Sequence, residues 1–144
     1  MDNILLIRPV IALLLLTIVV AFSMMWTRVL AMKKYKIAPE RAEEASNLKT
    51  LLPRNVMRIS DNYNHLHEQP IVFYVLCILI TILNKQDDIY AYLAWIYVLL
   101  RGMHTITQIC IGDVMKRFTL FLLSWLVLGA IAIRFMIPVF STLI

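Results

Sequence analysis

From Pro9 to Thr27 the chain runs through nineteen residues without a charge. In lipid, the backbone polar groups of a single span can be satisfied only by a helix. About 20 apolar residues are enough to cross a hydrocarbon core of about 30 Å. This stretch is therefore expected to be a membrane helix, and everything else must fit beside it. It is not read as a secretory leader: an h-region runs to about 7–15 residues, and no small-x-small cleavage pattern closes this one. The whole chain agrees, being 61% hydrophobic against about 45–50% for a soluble domain, with a mean hydropathy of +0.78. Its 144 residues have room for four spans and short loops. The expected fold is an all-α membrane protein, a four-transmembrane-helix antiparallel bundle forming one domain over residues 1–144.

The spans are expected at roughly residues 4–32, 53–83, 89–112 and 118–137. The second has an apolar part, Ile71 to Leu83, of only thirteen residues, too short to cross at about 1.5 Å per residue. Its helix must extend back through Asp61, Asn62, Asn64, His65, His67 and Glu68, whose polar groups should then face protein. On continuous helical spacing Asp61, Asn64, His65 and Glu68 share one face, and Pro70 is placed to kink the helix. In the first loop, Ala38-Pro39-Glu40-Arg41 reads as a helix start.

Basic residues cluster in two places. Lys33, Lys34, Lys36, Arg41, Lys49, Arg54 and Arg58 flank the first loop, and Lys116 and Arg117 the third, while the second loop holds only Lys85. The positive-inside bias places loops one and three in the cytoplasm and both termini outside. The net charge of +5 is thereby explained by headgroups and topology, and nucleic acid is excluded as a partner. Cys77 and Cys110 sit in apolar runs without a metal or redox spacing.

Within the third span, Leu100 to Arg117 carries Arg101, His104, Thr105 and Gln108 on one helical stripe. An arginine inside an apolar span costs about 2.5–3.5 kcal/mol on insertion scales, so the stripe should face protein or ligand. The expected topology brings it level with the polar start of the second span, and Glu68 is the natural charge partner of Arg101. These residues either pin helices together or line a pocket open to the cytoplasm. A pocket with a carboxylate and with Arg28, Arg58 and Arg117 at its rim suits a zwitterionic, peptide-like ligand. No metal site is expected: His65 and His67 point to different helix faces, His104 is alone on its helix, and neither HExxH nor a Cys/His ligand set occurs. A Gly-rich phosphate loop and a GxSxG elbow are also missing.

The stretches NHLHEQP in the second span and RGMHT in the third, with a basic residue opening the fourth, resemble the MAPEG superfamily, membrane-associated proteins in eicosanoid and glutathione metabolism, and a bacterial-type member of it. The similarity extends over nearly the whole chain. It implies a homotrimer that binds glutathione at subunit interfaces near the cytoplasmic side. By motif match, Asn64 and Glu68 would contact the ligand from the second span, and Arg101, His104 and Thr105 match the third-span motif. Arg117 matches the arginine that stabilises the glutathione thiolate; Arg28, Arg58 and Gln108 complete the set of ligand-binding candidates. Gln108 stands where several members carry tyrosine, Phe118 where some carry serine, and the Asn64–Glu68–Pro70 spacing differs from the commoner pattern.

The expected function is a membrane-embedded glutathione-dependent transferase or peroxidase acting on hydrophobic electrophiles that enter from the bilayer. The alternative, motivated by Gln108, is a non-enzymatic lipid-binding or scaffold protein on the same fold. A third reading is a proton-coupled transporter using Glu68. Short loops and the lack of sorting signals point to a bacterial inner membrane.

Overall fold

The computed structural model describes residues 4–38 and 50–141. The expected first-loop helix start lies, from Pro39 onward, outside the described residues. α1 spans Ile7–Lys34, with Lys33 and Lys34 in its last turn, where cations offset the carbonyl end of the helix. α2, Arg54–His65, begins after Pro53 in an extended conformation (ψ 151°). α3, Gln69–Ile82, follows a break at Leu66–Glu68 and carries Pro70 in its first turn, where a missing N–H costs nothing. α4, Asp88–Ile106, is capped by Asp87, whose carboxylate accepts the Tyr90 N–H at 2.9 Å. It continues into a π-helical turn, Thr107–Ile111, which ends at Gly112 in the left-handed region (φ 73°). α5, Val114–Ser141, starts on Asp113, whose carboxylate accepts the N–H groups of Met115 and Lys116.

The described residues form helices and turns, with no strand. Among the described residues three stretches are long and apolar enough to cross a membrane: Ile7–Lys34, Arg54–Ile82 and Val114–Ser141. The protein is thus an integral membrane protein. α4 with its π turn is about 36 Å long at 1.5 Å per residue and carries Arg101 in its interior. The fourth expected span began at Phe118, whereas the helix begins at Val114. Asp113 supplies the cap that starts it early, so Arg117 lies within the first turn instead of in the preceding loop.

α4 packs along α5, α1 packs against α2 and α4, and α2 meets the π turn. Leu13, Phe73, Ile80, Ala94, Tyr97, Leu128 and Ile131 form the core, with the Phe73 and Tyr97 rings stacked at 4.5 Å between centroids. Leu15, Val19, Phe22 and Trp26 on α1 face outward, while Arg101, Gln108 and Asn62 are buried. An apolar exterior, with a few hydrogen-bonded polar side chains buried inside an apolar core, suits lipid as the solvent, where packing and interhelical hydrogen bonds, not burial from water, hold helices together. At the loop-two end, Arg134 donates to both Asp87 oxygens at 2.9 and 2.6 Å and lies 4.2 Å from the centre of the Tyr90 ring. This fork joins the start of α4 to the far part of α5. The Arg134 hydrogen bond, and less so the Tyr90 N–H, holds the Asp87 carboxyl below the usual carboxylate range.

Candidate functional site

Measured from the Asp87–Arg134 fork, thirteen residues of α4 place Arg101 about 20 Å along the bundle, and seventeen residues of α5 place Arg117 about 25 Å along it. His65 is seventeen residues before Ile82 and reaches a similar level on the second span. The charged and hydrogen-bonding residues therefore converge in one layer, inside or at the edge of a hydrocarbon core of about 30 Å.

At the centre of that layer Arg101 is 0% exposed. Its Nη1 donates to Gln69 Oε1 at 2.9 Å and its Nη2 to the His65 carbonyl at 2.6 Å. Ser124 Oγ approaches the same Gln69 oxygen at 3.0 Å and the Phe121 carbonyl at 2.7 Å, its single proton serving either. The break at Leu66–Glu68 makes this possible. It ends α2 at His65, freeing that carbonyl for the guanidinium, and starts α3 with Gln69 aimed into the bundle. One turn along, Asn62 donates to Thr105 Oγ1 at 3.3 Å.

Beside this core a cavity of about 200 Å³ opens, lined by His65, His104, Val114, Arg117, Phe118 and Phe121. The His65 and His104 rings meet edge to face at 6.0 Å. His65 Nδ1 and Glu68 Oε2 are 3.1 Å apart, with the two side chains 35% and 64% exposed. A second, larger groove of about 510 Å³ runs between α4 and α5, lined by Met103, Ile106, Thr107, Met115, Lys116, Thr119 and Leu120. Lys116 pairs with Asp113 at 3.5 Å, and the N–H bonds of the α5 cap hold the Asp113 carboxyl below its usual range.

The sequence-derived candidates divide into three groups. His104, Thr105, Arg101 and Gln108 are buried, and Asn64 and Glu68 lie on the outer surface. Arg28, Arg58 and Arg117 are half-buried. Only Arg117 and His104 among them line the cavity. The Arg58 guanidinium lies against Gly112, where an added Cβ would stand 2.5 Å from Cζ.

Two expectations need correcting. The Glu68–Arg101 ion pair is replaced by bonds from Arg101 to Gln69 and the His65 carbonyl. Glu68, at the break between α2 and α3, turns to His65. The inward polar face of the second span is not Asp61, Asn64, His65 and Glu68 but Asn62 and Gln69. Leu66, Phe73, Cys77 and Ile80 are buried on the same side. Spacings of three and four running back from Ile80 through Phe73 to Gln69, Leu66 and Asn62 would have found that face. Ser124 offered no such signal, since a lone serine in an apolar helix ordinarily bonds its own backbone.

Among the described residues no group of three or more His, Cys, Asp or Glu side chains could hold a metal. A family model described as the MAPEG family matches residues 6–137. The comparison with curated proteins and the comparison with solved structures each returned no match.

Proposed function

The chain belongs to the MAPEG family, and from that premise we propose that it is a glutathione-dependent transferase or peroxidase working on hydrophobic electrophiles. We take the chain as a single domain of four spans, with α4 and its π turn as the third. It assembles as a homotrimer in a bacterial inner membrane, loops one and three in the cytoplasm and both termini outside.

The observation that carries this reading is the cavity holding Arg117 beside His65 and His104, with exposed Asn64 and Glu68 on the adjoining stretch of the second span. Exposed polar side chains at the edge of the hydrocarbon layer are costly unless something covers them, and a second subunit with a peptide-like ligand between would do so. The residues fit glutathione: Glu68 suits its ammonium group, and Arg117 suits an anionic sulfur. Arg28 and Arg58 would meet its carboxylates from the flanks. Arg101, His104 and Thr105 hold the wall of the site in place, Arg101 through bonds already made within the subunit. Gln108 is 1% exposed inside the subunit and is not part of the cavity lining.

Arg117 supplies the electrostatics. A thiol has a pKa of about 8.5, so little is ionised at neutral pH. A guanidinium lowering that pKa by about two units contributes about 2.7 kcal/mol and makes the thiolate the major form. The apolar groove of Met103, Ile106, Met115 and Leu120 gives an electrophile dissolved in the bilayer a place beside α5. Calorimetry of glutathione binding to the detergent-purified protein, followed by ultraviolet thiolate absorbance, tests the proposal. Binding with thiolate formation supports it, and binding without thiolate removes the catalytic part.

That groove also favours a second reading, a lipid-binding or scaffold protein on the same fold. It requires a lipid to raise the melting temperature while glutathione does not; stabilisation by glutathione alone counts against it.

A further inference from the structure

Arg117 can stabilise a thiolate but, as a permanent cation, cannot take the proton that leaves the sulfur. The cavity contains a group that can. His65 lines it with Arg117, and its Nδ1 is 3.1 Å from Glu68 Oε2. A carboxylate on Nδ1 fixes the tautomer with the proton on that nitrogen and leaves Nε2 with its lone pair. Nε2 has no hydrogen-bond partner among the described residues. The charged and titratable groups around the ring are Glu68 on its own strand of chain, His104 and Arg101 from α4, and Arg117 from α5. His104 is 2% exposed and packs edge-on to His65, which limits how the ring can tilt.

We propose that His65, oriented by Glu68, is the general base that removes the thiol proton in the cavity where Arg117 holds the resulting charge. This rests on the glutathione reading above. As the S–H bond breaks, the proton passes to His65 Nε2 and the electron pair stays on sulfur. The sulfur then forms a bond to the electrophilic carbon. With an activated aryl chloride the C–Cl bond breaks, chloride leaves with its pair, and the imidazolium returns its proton to water. Free imidazole and free thiol differ by about two pKa units, so an isolated pair would favour transfer back to sulfur by about a hundredfold. Arg117 offsets that difference on the sulfur side, by stabilising the anion that the transfer leaves behind. Arg117 favours the anion and His65 gives its proton a place to go, and the two side chains line one cavity.

The experiment compares wild type, His65→Gln and Glu68→Gln in detergent micelles. Arg101 uses the backbone carbonyl of residue 65, so His65→Gln leaves that bond in place, and the exposed Glu68 can be changed without touching the core. Glutathione binding is measured calorimetrically in buffers of different ionisation enthalpy, with thiolate absorbance alongside, and conjugation of an activated aryl chloride is followed across pH. In wild type at neutral pH, thiolate should appear with fewer protons released to buffer than thiolates formed. In His65→Gln each thiolate should release one proton. Because Arg117 still lowers the thiol pKa in that variant, conjugation should fall by no more than about tenfold near neutral pH and most steeply below the lowered thiol pKa, where wild type still has a base to take the proton. Glu68→Gln should lie between. Equal proton release and an unchanged pH profile in His65→Gln would overturn the role of His65 while leaving the glutathione site standing. No glutathione binding by wild type would remove both.

Discussion

Replacing Gln69 by leucine removes the acceptor shared by Arg101 and Ser124 without disturbing the volume of the site. Ser124 keeps the Phe121 carbonyl at 2.7 Å, so its loss is small. Arg101 loses the 2.9 Å bond from Nη1 while remaining wholly buried. Neutral interhelical hydrogen bonds in membranes average about 0.6 kcal/mol, but a bond to a buried charge is worth about 1.5–3 kcal/mol. The charged bond dominates, and Gln69→Leu should cost about 2–3 kcal/mol. Arg101→Met removes the charge itself. Gln69 Oε1 still receives Ser124, and the His65 carbonyl loses its 2.6 Å donor, for about 1–3 kcal/mol. Once the guanidinium is gone, leucine at 69 strands nothing charged. The double variant should therefore be no less stable than Gln69→Leu alone, a coupling at least equal to the Arg101→Met cost, about 1–3 kcal/mol. Reversible unfolding in mixed micelles, followed by circular dichroism, gives the four free energies. Simple addition of the two single costs would show that Arg101 does not depend on Gln69.

Three further outcomes follow from other parts of the molecule. Gly112→Ala puts a Cβ on a left-handed residue (φ 73°) and 2.5 Å from the Arg58 guanidinium. The guanidinium can swing away, so the cost is mainly the backbone's, about 1 kcal/mol, read as a lower melting temperature in micelles; no change would mean that the turn does not need this conformation. The Asp87 carboxyl is held below its usual range chiefly by Arg134, so its contribution is present above the unfolded pKa of about 3.9. It should disappear as pH falls through the lower folded value. Both side chains are partly exposed, 35% and 45%, which keeps the fork below about 1 kcal/mol. Arg134→Met should narrow the stability difference between pH 7 and pH 3, and an unchanged difference would count against the fork. Ser124→Ala should cost no more than about 1 kcal/mol, because Arg101 continues to satisfy Gln69; a loss comparable to that of Gln69→Leu would contradict the network as drawn.

Hydropathy and charge spacing were enough to locate the long helices. The first span was expected over residues 4–32 and is Ile7–Lys34; the second, expected over 53–83, is Arg54–Ile82 when taken across its break. The buried character of Arg101, His104, Thr105 and Gln108 was also legible, because an arginine within an apolar run leaves few alternatives. The partner of Arg101 was not. Opposite charge suggested Glu68, but the buried face runs through Asn62, Leu66 and Gln69 and leaves Glu68 exposed, while the break at Leu66–Glu68 frees a backbone carbonyl whose availability no side-chain pattern records. The second span likewise held two asparagines two residues apart on different faces. The polar face was followed from Asp61 and Glu68, whereas the apolar spacing from Phe73 to Ile80 selects Asn62. The π turn at Thr107–Ile111 and the Asp87–Arg134 fork depend on contacts between distant segments, which periodicity within one segment does not reveal.

The first experiment is glutathione binding to the purified protein and its Arg117→Ala variant, by calorimetry with thiolate absorbance recorded on the same samples. Arg117 beside the His65–His104 cavity predicts binding by wild type with most of the bound thiol ionised at neutral pH. In Arg117→Ala the thiolate signal should be lost and its pKa should return about two units toward 8.5. Thiolate of equal yield in the variant, or no binding by wild type, would contradict the assignment of Arg117 as the residue that stabilises the sulfur anion.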